Sequence, residues 1–260
     1  MSNTALITGA SSGIGLELAR KFASDNYDLV LVARRRDNLQ KISEELANSF
    51  GVKIKIIVKD LSKDNSAREI FDETKSENIT VNILINNAGF GSYGAFAGAD
   101  PDTDNEMIRV NIASLVILTK LFLKEMLIRN SGRIMNVASI AAFQPGPNMA
   151  LYYATKAFVL SFSEAVAEEI SGSKVTITCL CPGPTKTGFQ ERAGTNKIKL
   201  ADKKSAVIMS AQKVASIGYN GLMKGKRIII PGKINWLVAN SLRFAPRKLV
   251  TKVAKFVNSE

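Results

Sequence analysis

A glycine-containing turn near the start of the chain constrains the fold more than any other feature. An apolar strand, Thr4 to Thr8, runs here into Thr8-Gly9-Ala10-Ser11-Ser12-Gly13-Ile14-Gly15, and a helical pattern follows. Glycines at such a turn admit a pyrophosphate close to the backbone, and the following helix directs its N–H groups and positive dipole end at the charge. A tight turn is the simpler alternative, but the flanking strand and helix favour a dinucleotide site. We predict cofactor contacts from Gly9, Ser11, Ser12, Gly13, Ile14 and Gly15.

The end of the second predicted strand favours NADP over NAD. Leu29-Val30-Leu31-Val32 is followed by Ala33-Arg34-Arg35-Arg36. In a βαβ unit this position reaches the adenosine ribose, and it carries an acid when the 2′-hydroxyl is free. No carboxylate is present, and guanidinium groups are well shaped to bind a phosphate. We predict that Arg34 and Arg35 bind the 2′-phosphate; the alternative is a solvated basic turn before a helix.

Length and composition are typical of one enzyme-sized domain. The 260 residues contain no low-complexity linker. Cys179 and Cys181 lie two residues apart on one apolar strand, so their side chains share a face, and they are expected to be core thiols rather than a disulfide or metal site. The absence of histidine excludes Ser-His-Asp hydrolysis and histidine-ligated zinc, and we expect no metal. Neither a signal peptide nor a bilayer-spanning run is recognisable, so we expect a cytoplasmic protein.

Strand and helix patterns alternate along the chain. Strands are predicted at Thr4 to Thr8, Asp28 to Ala33, Lys53 to Lys59, Asn82 to Asn86, Arg133 to Ala138, Lys174 to Cys181 and Arg227 to Ile230. Helices are predicted at Gly13 to Ser24, Asp37 to Ser49, Asp64 to Asn78, Asp102 to Arg129, Ala150 to Ser171 and Ala211 to Lys224. Strands that are apolar on both faces indicate an α/β fold, with a doubly wound parallel sheet of about seven strands and helices on both faces. Ligands of such sheets lie beyond the carboxyl ends of the strands, where the motifs of this chain collect.

A tyrosine and a lysine supply acid–base chemistry without histidine. Tyr152 and Lys156 are four residues apart on a predicted helix, so their side chains share a face. A phenol with a pKa near 10 needs about 4 kcal/mol of stabilisation of its anion to act at neutral pH. One positive charge at about 4 Å, with an effective dielectric near 20, supplies about that much. The pair is therefore a candidate proton donor or acceptor.

Several short motifs occur in a characteristic order. They are Thr8 to Gly15, Asp60-Leu61, Asn86-Asn87-Ala88-Gly89, Asn111, Ser139, Tyr152 with Lys156, and Cys181-Pro182-Gly183 with Thr185 and Thr187. With these motifs the chain resembles the short-chain dehydrogenase/reductase family over nearly its whole length. The resemblance implies a single-domain Rossmann fold and an oxidoreductase that acts on a carbonyl or alcohol group.

The resemblance also implies roles for individual residues. Tyr152 would be the general acid/base, Ser139 would hold the substrate oxygen, Lys156 would lower the tyrosine pKa and bind the nicotinamide ribose, and Asn111 would order a water relay. The remaining cofactor contacts would come from Asp60, Leu61, Asn87, Ala88, Gly89, Pro182, Gly183, Thr185 and Thr187. Family enzymes that use NADP commonly work as reductases, so the arginine argument favours NADPH-dependent carbonyl reduction.

The substrate is predicted less sharply than the chemistry. Aromatic and small residues follow the motifs and would flank an apolar pocket for a lipid-like or aromatic carbonyl; they are Phe90, Tyr93, Phe96, Ala141, Ala142, Phe143 and Phe189. Ordinary packing of loops is the alternative. We expect a catalytic domain over residues 1–232, a substrate lid near residues 188–210 and an extension over residues 233–260. Family members usually pair through helices that correspond to Leu115 to Leu127 and Ala150 to Ile170, which implies a homodimer or homotetramer.

The net charge of +12 raises the question of a polyanionic partner. No nucleic-acid module is recognisable, so nucleic-acid binding is not expected. The segment from Pro246 to Val257 forms a basic amphipathic pattern that suits peripheral contact with an anionic membrane. Packing over the substrate mouth or a partner subunit is the alternative for this helix. A nucleotide-binding sensor or membrane-associated protein with little turnover stays the second functional hypothesis.

Overall fold

A parallel sheet organises the chain. The structure, a computed structural model, describes residues 3–194 and 208–259. Seven strands form one sheet in the order β3-β2-β1-β4-β5-β6-β9, and every pairing in it is parallel. These strands are β1 (Thr4–Thr8), β2 (Asp28–Ala33), β3 (Ile54–Val58), β4 (Val81–Asn86), β5 (Gly132–Val137), β6 (Val175–Leu180) and β9 (Ile228–Ile229). The short strands β7 (Thr185–Lys186) and β8 (Met209–Ser210) form a second, two-stranded parallel sheet.

Helices cover both faces of the large sheet. They are α1 (Gly13–Ser24), α2 (Arg36–Phe50), α3 (Ser66–Ser76), α4 (Pro101–Ile108), α5 (Ser114–Ile128), α6 (Ala150–Glu169), α7 (Phe189–Ala193), α8 (Ala211–Met223), α9 (Lys233–Ser241) and α10 (Arg247–Val257). The predicted single-domain Rossmann fold is confirmed. Within the described ranges, no helix has the length and apolar character needed to cross a bilayer.

Alternation along the strands gives the sheet two cores. Ile7 and Leu31 point to the face covered by α1, α2 and α8, where they pack with Leu18 and Phe22. Leu6, Val30 and Leu84 point to the opposite face, which α3, α5 and α6 cover. Successive strand residues face opposite sides, so strands buried on both sides must be apolar at nearly every position. This requirement is why the strands could be recognised in the sequence.

The predicted helix from Asp102 to Arg129 differs from the structure in its middle. The chain forms α4, then a single turn of π-helix over Arg109–Ala113, and then α5. A π turn contains one extra residue, so the side chains after it rotate relative to a continuous α-helix. Hydrophobic periodicity over this region does not reveal the extra residue.

The predicted lid near residues 188–210 is described in part. The structure places Phe189–Ala193 in α7 and pairs β8 with β7, and the lid's residues 195–207 lie outside the described residues. The last strand of the large sheet ends at Ile229, and two helices, α9 and α10, follow it. Pro246 precedes α10 as its N-cap residue, in agreement with the predicted helix.

Candidate active site

The glycine turn after β1 leaves room that side chains would fill. Gly9 and Gly13 have φ angles of +66° and +58°, a conformation that favours glycine. A Cβ at Gly15 would overlap the Gly9 carbonyl oxygen and the Asn87 amide nitrogen. Ser12 is exposed as the N-cap residue of α1, Ser11 is half-buried, and Ile14 packs against the core. The turn is therefore a tight backbone cradle at the N-terminus of a helix, which fits the pyrophosphate of a dinucleotide.

Hydrogen bonds fix the loop after β4 against this turn. The Thr8 hydroxyl oxygen accepts from the backbone N–H groups of Asn87 and Ala88, both at 3.0 Å. The Asn87 amide donates to the carbonyl oxygens of Thr8 at 3.0 Å and Gly9 at 3.3 Å. Two predicted cofactor segments, far apart in sequence, thus lie side by side at the carboxyl edge of the sheet.

An arginine and an aspartate lie at the end of the cofactor site that is predicted to bind the adenosine. Arg34 lies 3.8 Å from the Asp60 carboxylate, and Arg34 and Arg35 are both exposed. Burial acts to raise the pKa of Asp60, but hydrogen bonds from the Ser62 N–H and hydroxyl, with the charge of Arg34, outweigh it and the pKa is lowered. Leu61 is buried in the core beside this corner. Asp60 therefore stays ionised and holds the arginine near the end of β2.

Asn111 is buried and its side chain is fully engaged. It lies in the π turn, where its Oδ1 accepts from the Phe90 N–H at 3.1 Å. Its Nδ2 donates to the Phe90 carbonyl at 2.9 Å and to the Thr155 hydroxyl at 3.1 Å. A Cβ at Gly89 would lie 3.1 Å from Asn111 Oδ1 and 3.3 Å from Lys156 Nζ. The asparagine and the lysine therefore both approach the glycine of the loop after β4.

Tyr152 and Ser139 lie next to each other. Tyr152 is 9% exposed on the first turn of α6, and Ser139 is the N-cap residue of a short 3₁₀ helix after β5. Ser139 Oγ accepts from the Ala141 N–H at 3.1 Å and donates to the Pro182 carbonyl at 3.4 Å. Burial raises the pKa of Tyr152, while its hydrogen bond with Ser139 acts in the opposite direction. The phenol is therefore protonated at neutral pH.

Lys156 donates its hydrogen bond to a backbone carbonyl on the neighbouring strand β5. Its Nζ donates to the Val137 carbonyl at 2.9 Å and lies 5.8 Å from the centre of the Tyr152 ring. Burial lowers the pKa of Lys156 to about 8. We expected the lysine charge to lower the tyrosine pKa, but in this structure burial of the phenol has the larger effect. The sequence prediction considered only the attraction between the lysine and the phenolate. It did not include the desolvation of the two buried side chains, which raises the pKa of Tyr152 and lowers that of Lys156.

The segment after β6 reaches both the tyrosine site and the glycine turn. The Pro182 carbonyl accepts from the Ile140 N–H at 2.9 Å, next to Ser139. Thr185 Oγ1 donates to the Gly183 carbonyl at 2.9 Å. A Cβ at Gly13 would lie 3.0 Å from the methyl group of Thr187. The predicted residues from Pro182 to Thr187 therefore contact both the region of Ser139 and the glycine turn after β1.

The predicted apolar pocket is only partly assembled. Phe90 and Tyr93 pack in the cluster that contains Tyr152, and the Phe189 ring lies 5.3 Å from the Tyr152 ring. Ala141 belongs to this cluster, whereas Ala142 and Phe143 pack with Val159 and Leu160 of α6. Phe96 is 68% exposed. Ala142 and Phe143 leave the cluster because they lie in a 3₁₀ helix, where successive side chains point in different directions.

Sequence reasoning missed a buried polar network beneath the site. Asn86 Nδ2 donates to Asn136 Oδ1 at 2.9 Å and to the Thr119 hydroxyl at 3.0 Å, and Asn136 Nδ2 donates to the Ser163 hydroxyl at 3.0 Å. These contacts tie β4 and β5 to α5 and α6. Buried amides require such partners, so the network fixes the relative positions of the elements that carry the site. Asn136 is a polar residue inside an apolar strand, and this was the available sequence signal.

The chain matches the family model described as short chain dehydrogenase over residues 3–198. This match covers more than half of the chain. The protein therefore belongs to the short-chain dehydrogenase family of oxidoreductases.

Two relatives illustrate the similarity. The human "17-beta-hydroxysteroid dehydrogenase type 3" is 36% identical over 207 residues, which covers 78% of this chain and 66% of that protein. The "Very-long-chain 3-oxoacyl-CoA reductase" of Anas platyrhynchos is 33% identical over 184 residues, which covers 68% of this chain and 58% of that protein. The chain thus matches less than two thirds of the length of either relative.

A solved structure supports the same family. A short-chain dehydrogenase from Sphingobium yanoikuyae, determined in complex with NADPH, superposes with a TM-score of 0.83 and 30% sequence identity. The superposition covers 93% of this chain and 94% of that chain. The likeness therefore includes the C-terminal part of the fold, beyond the residues that the family model matches.

Proposed function

We propose that this protein is an NADPH-dependent oxidoreductase that reduces a bulky, apolar ketone or aldehyde to an alcohol, or catalyses the reverse reaction. The observation that carries the proposal is the convergence of Tyr152, Ser139, Lys156 and Asn111 beside the loop after β4, which is itself bonded to the glycine turn. Family membership supplies the reaction class, and the relatives are consistent with carbonyl reduction.

NADP is the proposed cofactor, and the cradle at Gly9, Gly13 and Gly15 fits its pyrophosphate. Arg34 would bind the 2′-phosphate, with Arg35 beside it, while Asp60 and Leu61 would bound the adenine. The remainder of the cofactor would be held by the loop from Asn87 to Gly89, by the segment from Pro182 to Thr187, and by Tyr152 and Lys156. When bound, this cofactor supplies the hydride. The similar NADPH complex supports the assignment.

Proton transfer in the proposed mechanism belongs to Tyr152. Ser139 Oγ and the phenol would hold the substrate oxygen, and the phenol would donate its proton to that oxygen as the alcohol forms. The raised pKa of Tyr152 keeps the phenol protonated, which is the state that reduction requires. Donation leaves a buried phenolate, and the ammonium of Lys156, one helical turn away, is the nearby cation that would stabilise it.

Asn111 and Lys156 complete the proposed site. Asn111 is wedged between Phe90 and Thr155, so it would hold α6 at a fixed distance from the loop after β4. Lys156 and Asn111 both approach Gly89, where a water relay between them is proposed. Lys156 would also bind the nicotinamide ribose.

A bulky, apolar substrate is the proposed class. Phe90, Tyr93 and Phe189 surround Tyr152 with aromatic surface, and such lining suits an apolar ligand with few polar contacts. The names of the two relatives, a hydroxysteroid dehydrogenase and a very-long-chain acyl reductase, also indicate large apolar substrates. Residues 188–210 would form the lid over this pocket.

Domain boundaries, assembly and location are also proposed. Residues 1–232 would form the catalytic domain and residues 233–260 an extension, since β9 is the last strand of the sheet. A homodimer or homotetramer would form through α5 and α6, where Ile117, Leu127 and Phe158 are exposed. The proposed location is the cytoplasm, with peripheral contact at a membrane. A sensor with little turnover is the second candidate, favoured only by the extension.

Replacing Tyr152 by Phe tests the proposed reaction. We expect Tyr152→Phe to abolish NADPH-dependent reduction of apolar ketones while it leaves NADPH binding within about threefold of wild type, because the change removes one proton donor and little surface. Tyr153→Phe is the matched control, since its hydroxyl bonds to Asn258 rather than to Ser139. Turnover and cofactor titration would be measured for all three proteins. Reduction by Tyr152→Phe at the wild-type rate would refute the proposal.

A further inference from the structure

The positive charge of the protein is concentrated near its C-terminus. Residues 203–259 contain twelve lysines and arginines and no aspartate or glutamate. The other 23 basic residues are matched by the 23 acidic residues of the chain. The whole net charge of +12 therefore comes from this segment, although basic residues occur along the entire sequence. Such a one-sided distribution attracts polyanionic surfaces.

The same segment exposes large apolar side chains. Eight of the fifteen exposed large apolar residues that the structure describes lie between residues 234 and 256. On α9, Trp236 is 56% exposed and Leu237 is 62% exposed, and Phe244 in the following turn is 91% exposed. A concentration of exposed large apolar side chains in one segment is typical of an interaction surface. We name the exposed residues of α9, α10 and the turn between them the C-terminal surface.

On α10 the apolar residues divide into two stripes. Val250 and Ala254 are buried against the rest of the chain. Leu249 and Val253 are 54% and 53% exposed. Lys248, Lys252 and Lys255 are exposed and follow the same helical spacing on the flank of the exposed stripe. The helix thus packs on one side and presents apolar and basic side chains on the other.

Buried hydrogen bonds anchor the end of α10 next to the candidate active site. Asn258 is fully buried; its Oδ1 accepts from the Tyr153 hydroxyl at 3.1 Å, and its Nδ2 donates to the Pro147 carbonyl at 3.0 Å. Tyr153 follows Tyr152 on α6, and the two rings are 6.1 Å apart. The C-terminal surface is therefore attached to the catalytic helix.

We propose that the C-terminal surface docks onto an anionic lipid bilayer. Exposed apolar side chains beside lysines, on a helix too short to span, are the features of an interfacial helix. The apolar residues would enter the boundary between headgroups and acyl chains, and the lysines would contact the anionic headgroups. This inference deepens the proposed peripheral contact with a membrane by naming the surface and its ligand, and it does not depend on the proposed reaction.

A second copy of the chain is a poorer occupant than a bilayer. A two-fold contact would bring the same patch of each copy together. The patch contains basic groups without acidic ones, so the contact would oppose like charges. A bilayer that contains phosphatidylglycerol or phosphatidylserine supplies negative charge and apolar volume together.

Vesicle binding tests the proposal with the full-length protein. Large vesicles of 70% phosphatidylcholine and 30% phosphatidylglycerol would be titrated at low salt, with pure phosphatidylcholine vesicles in parallel. Trp236 is the single tryptophan of the chain, so its emission reports directly on α9. We expect co-sedimentation and a blue shift of Trp236 emission with the anionic vesicles, and release as salt rises, because attraction to the surface is screened within a Debye length.

Two sets of variants assign the binding to this surface. The triple variant Lys248→Gln, Lys252→Gln, Lys255→Gln should weaken anionic vesicle binding about 100-fold, since each lysine near such a surface contributes about a factor of five. The control is Lys41→Gln, Lys53→Gln, Lys174→Gln; these exposed lysines lie outside the C-terminal segment, and the variant has the same net charge. It should bind within a few-fold of wild type. Leu249→Ser with Val253→Ser should reduce the binding that survives high salt.

Three results would overturn the proposal. One is wild-type protein that stays in the supernatant, with unchanged Trp236 emission, at low salt. Another is equal weakening by the two lysine triple variants, which would indicate attraction by net charge alone. The third is a change of oligomeric mass in Leu249→Ser, Val253→Ser without any loss of vesicle binding, which would assign the surface to a second copy. Far-ultraviolet circular dichroism of each variant would show that it is folded.

Discussion

At the scale of single residues, Lys156 combines a proposed catalytic role with a cost in stability. Its ammonium is buried and donates to the Val137 carbonyl, and burial lowers its pKa from the usual 10.5 to about 8. The carbonyl is a neutral acceptor that supplies one hydrogen bond and no countercharge, so it compensates for only part of the lost hydration. The folded protein therefore carries an unfavourable buried charge at neutral pH, at the position where the proposed mechanism requires a cation.

The stability cost of this charge should depend on pH. Between pH 8 and 10.5 the unfolded chain binds more protons at Lys156 than the folded chain, so its contribution to the free energy of unfolding rises with pH. The penalty is about 3 kcal/mol at pH 7 and about 1 kcal/mol at pH 10.

Lys156→Met removes this penalty. We expect the variant to be more stable than wild type at pH 7, with a difference that shrinks by about 2 kcal/mol at pH 10. Urea unfolding of both ligand-free proteins at the two pH values would measure it. A difference that does not change with pH would show that Lys156 titrates normally.

Arg34 is the residue on which the proposed preference for NADPH depends. Its guanidinium lies beside Asp60, at the end of β2. Arg34→Ala should weaken NADPH binding about 10- to 100-fold, the usual value of a charge-assisted hydrogen bond, and leave NADH binding nearly unchanged. Arg36→Ala is the control, since Arg36 is exposed on the first turn of α2. Wild-type binding of NADH as tight as that of NADPH would contradict the assignment.

At the scale of elements, the turn between β1 and α1 has no tolerance for a larger residue. Gly15→Ala would place a methyl group against the Gly9 carbonyl and the Asn87 amide, both backed by hydrogen bonds. We expect a loss of about 1–3 kcal/mol of stability from overpacking and at least about 10-fold weaker NADPH binding. Gly172→Ala, where no atom lies within 4 Å of the added Cβ, should change neither quantity. Thermal unfolding and cofactor titration would compare the variants.

The elements show which parts of the fold the sequence can predict. Strands β1 and β2 were predicted to the residue because burial on both faces requires continuous apolar runs bounded by polar residues. The π turn at Asn111 could not be predicted, since one inserted residue hardly alters the hydrophobic period. Strands β7 and β8 are two residues each, too short for any periodic signal.

The sequence predicts which residues gather at the candidate site better than it predicts the hydrogen bonds between them. The predicted site residues, the first of which is Gly9 and the last Thr187, lie at one edge of the sheet because the carboxyl ends of parallel strands meet there. Two contacts depend on side-chain packing between elements that are distant in sequence. They are the hydrogen bond from Lys156 to the Val137 carbonyl and the hydrogen bond from Asn111 to the Phe90 carbonyl. Such long-range contacts leave no local pattern in the sequence.

At the scale of the whole molecule, the unbalanced positive charge and the candidate active site occupy different parts of the sequence. The family match ends at residue 198, and the unbalanced positive charge begins at residue 203. The charged segment contacts α6, the helix that contains the proposed catalytic Tyr152, through the hydrogen bond between Asn258 and Tyr153. A bilayer docked at the C-terminal surface would therefore lie near the site proposed for an apolar carbonyl, which itself partitions into lipid.

Deuterium transfer tests the central claim, carbonyl reduction by this site, most directly. The protein would be incubated with a bulky apolar ketone and NADPH that carries deuterium in place of both hydrogens at the nicotinamide C4 position, and the alcohol would be analysed by mass spectrometry. We predict one deuterium on the carbinol carbon with wild-type protein and none above background with Tyr152→Phe. A panel of ketones and aldehydes that yields no labelled alcohol, or equal labelling by the Tyr152→Phe variant, would contradict the account.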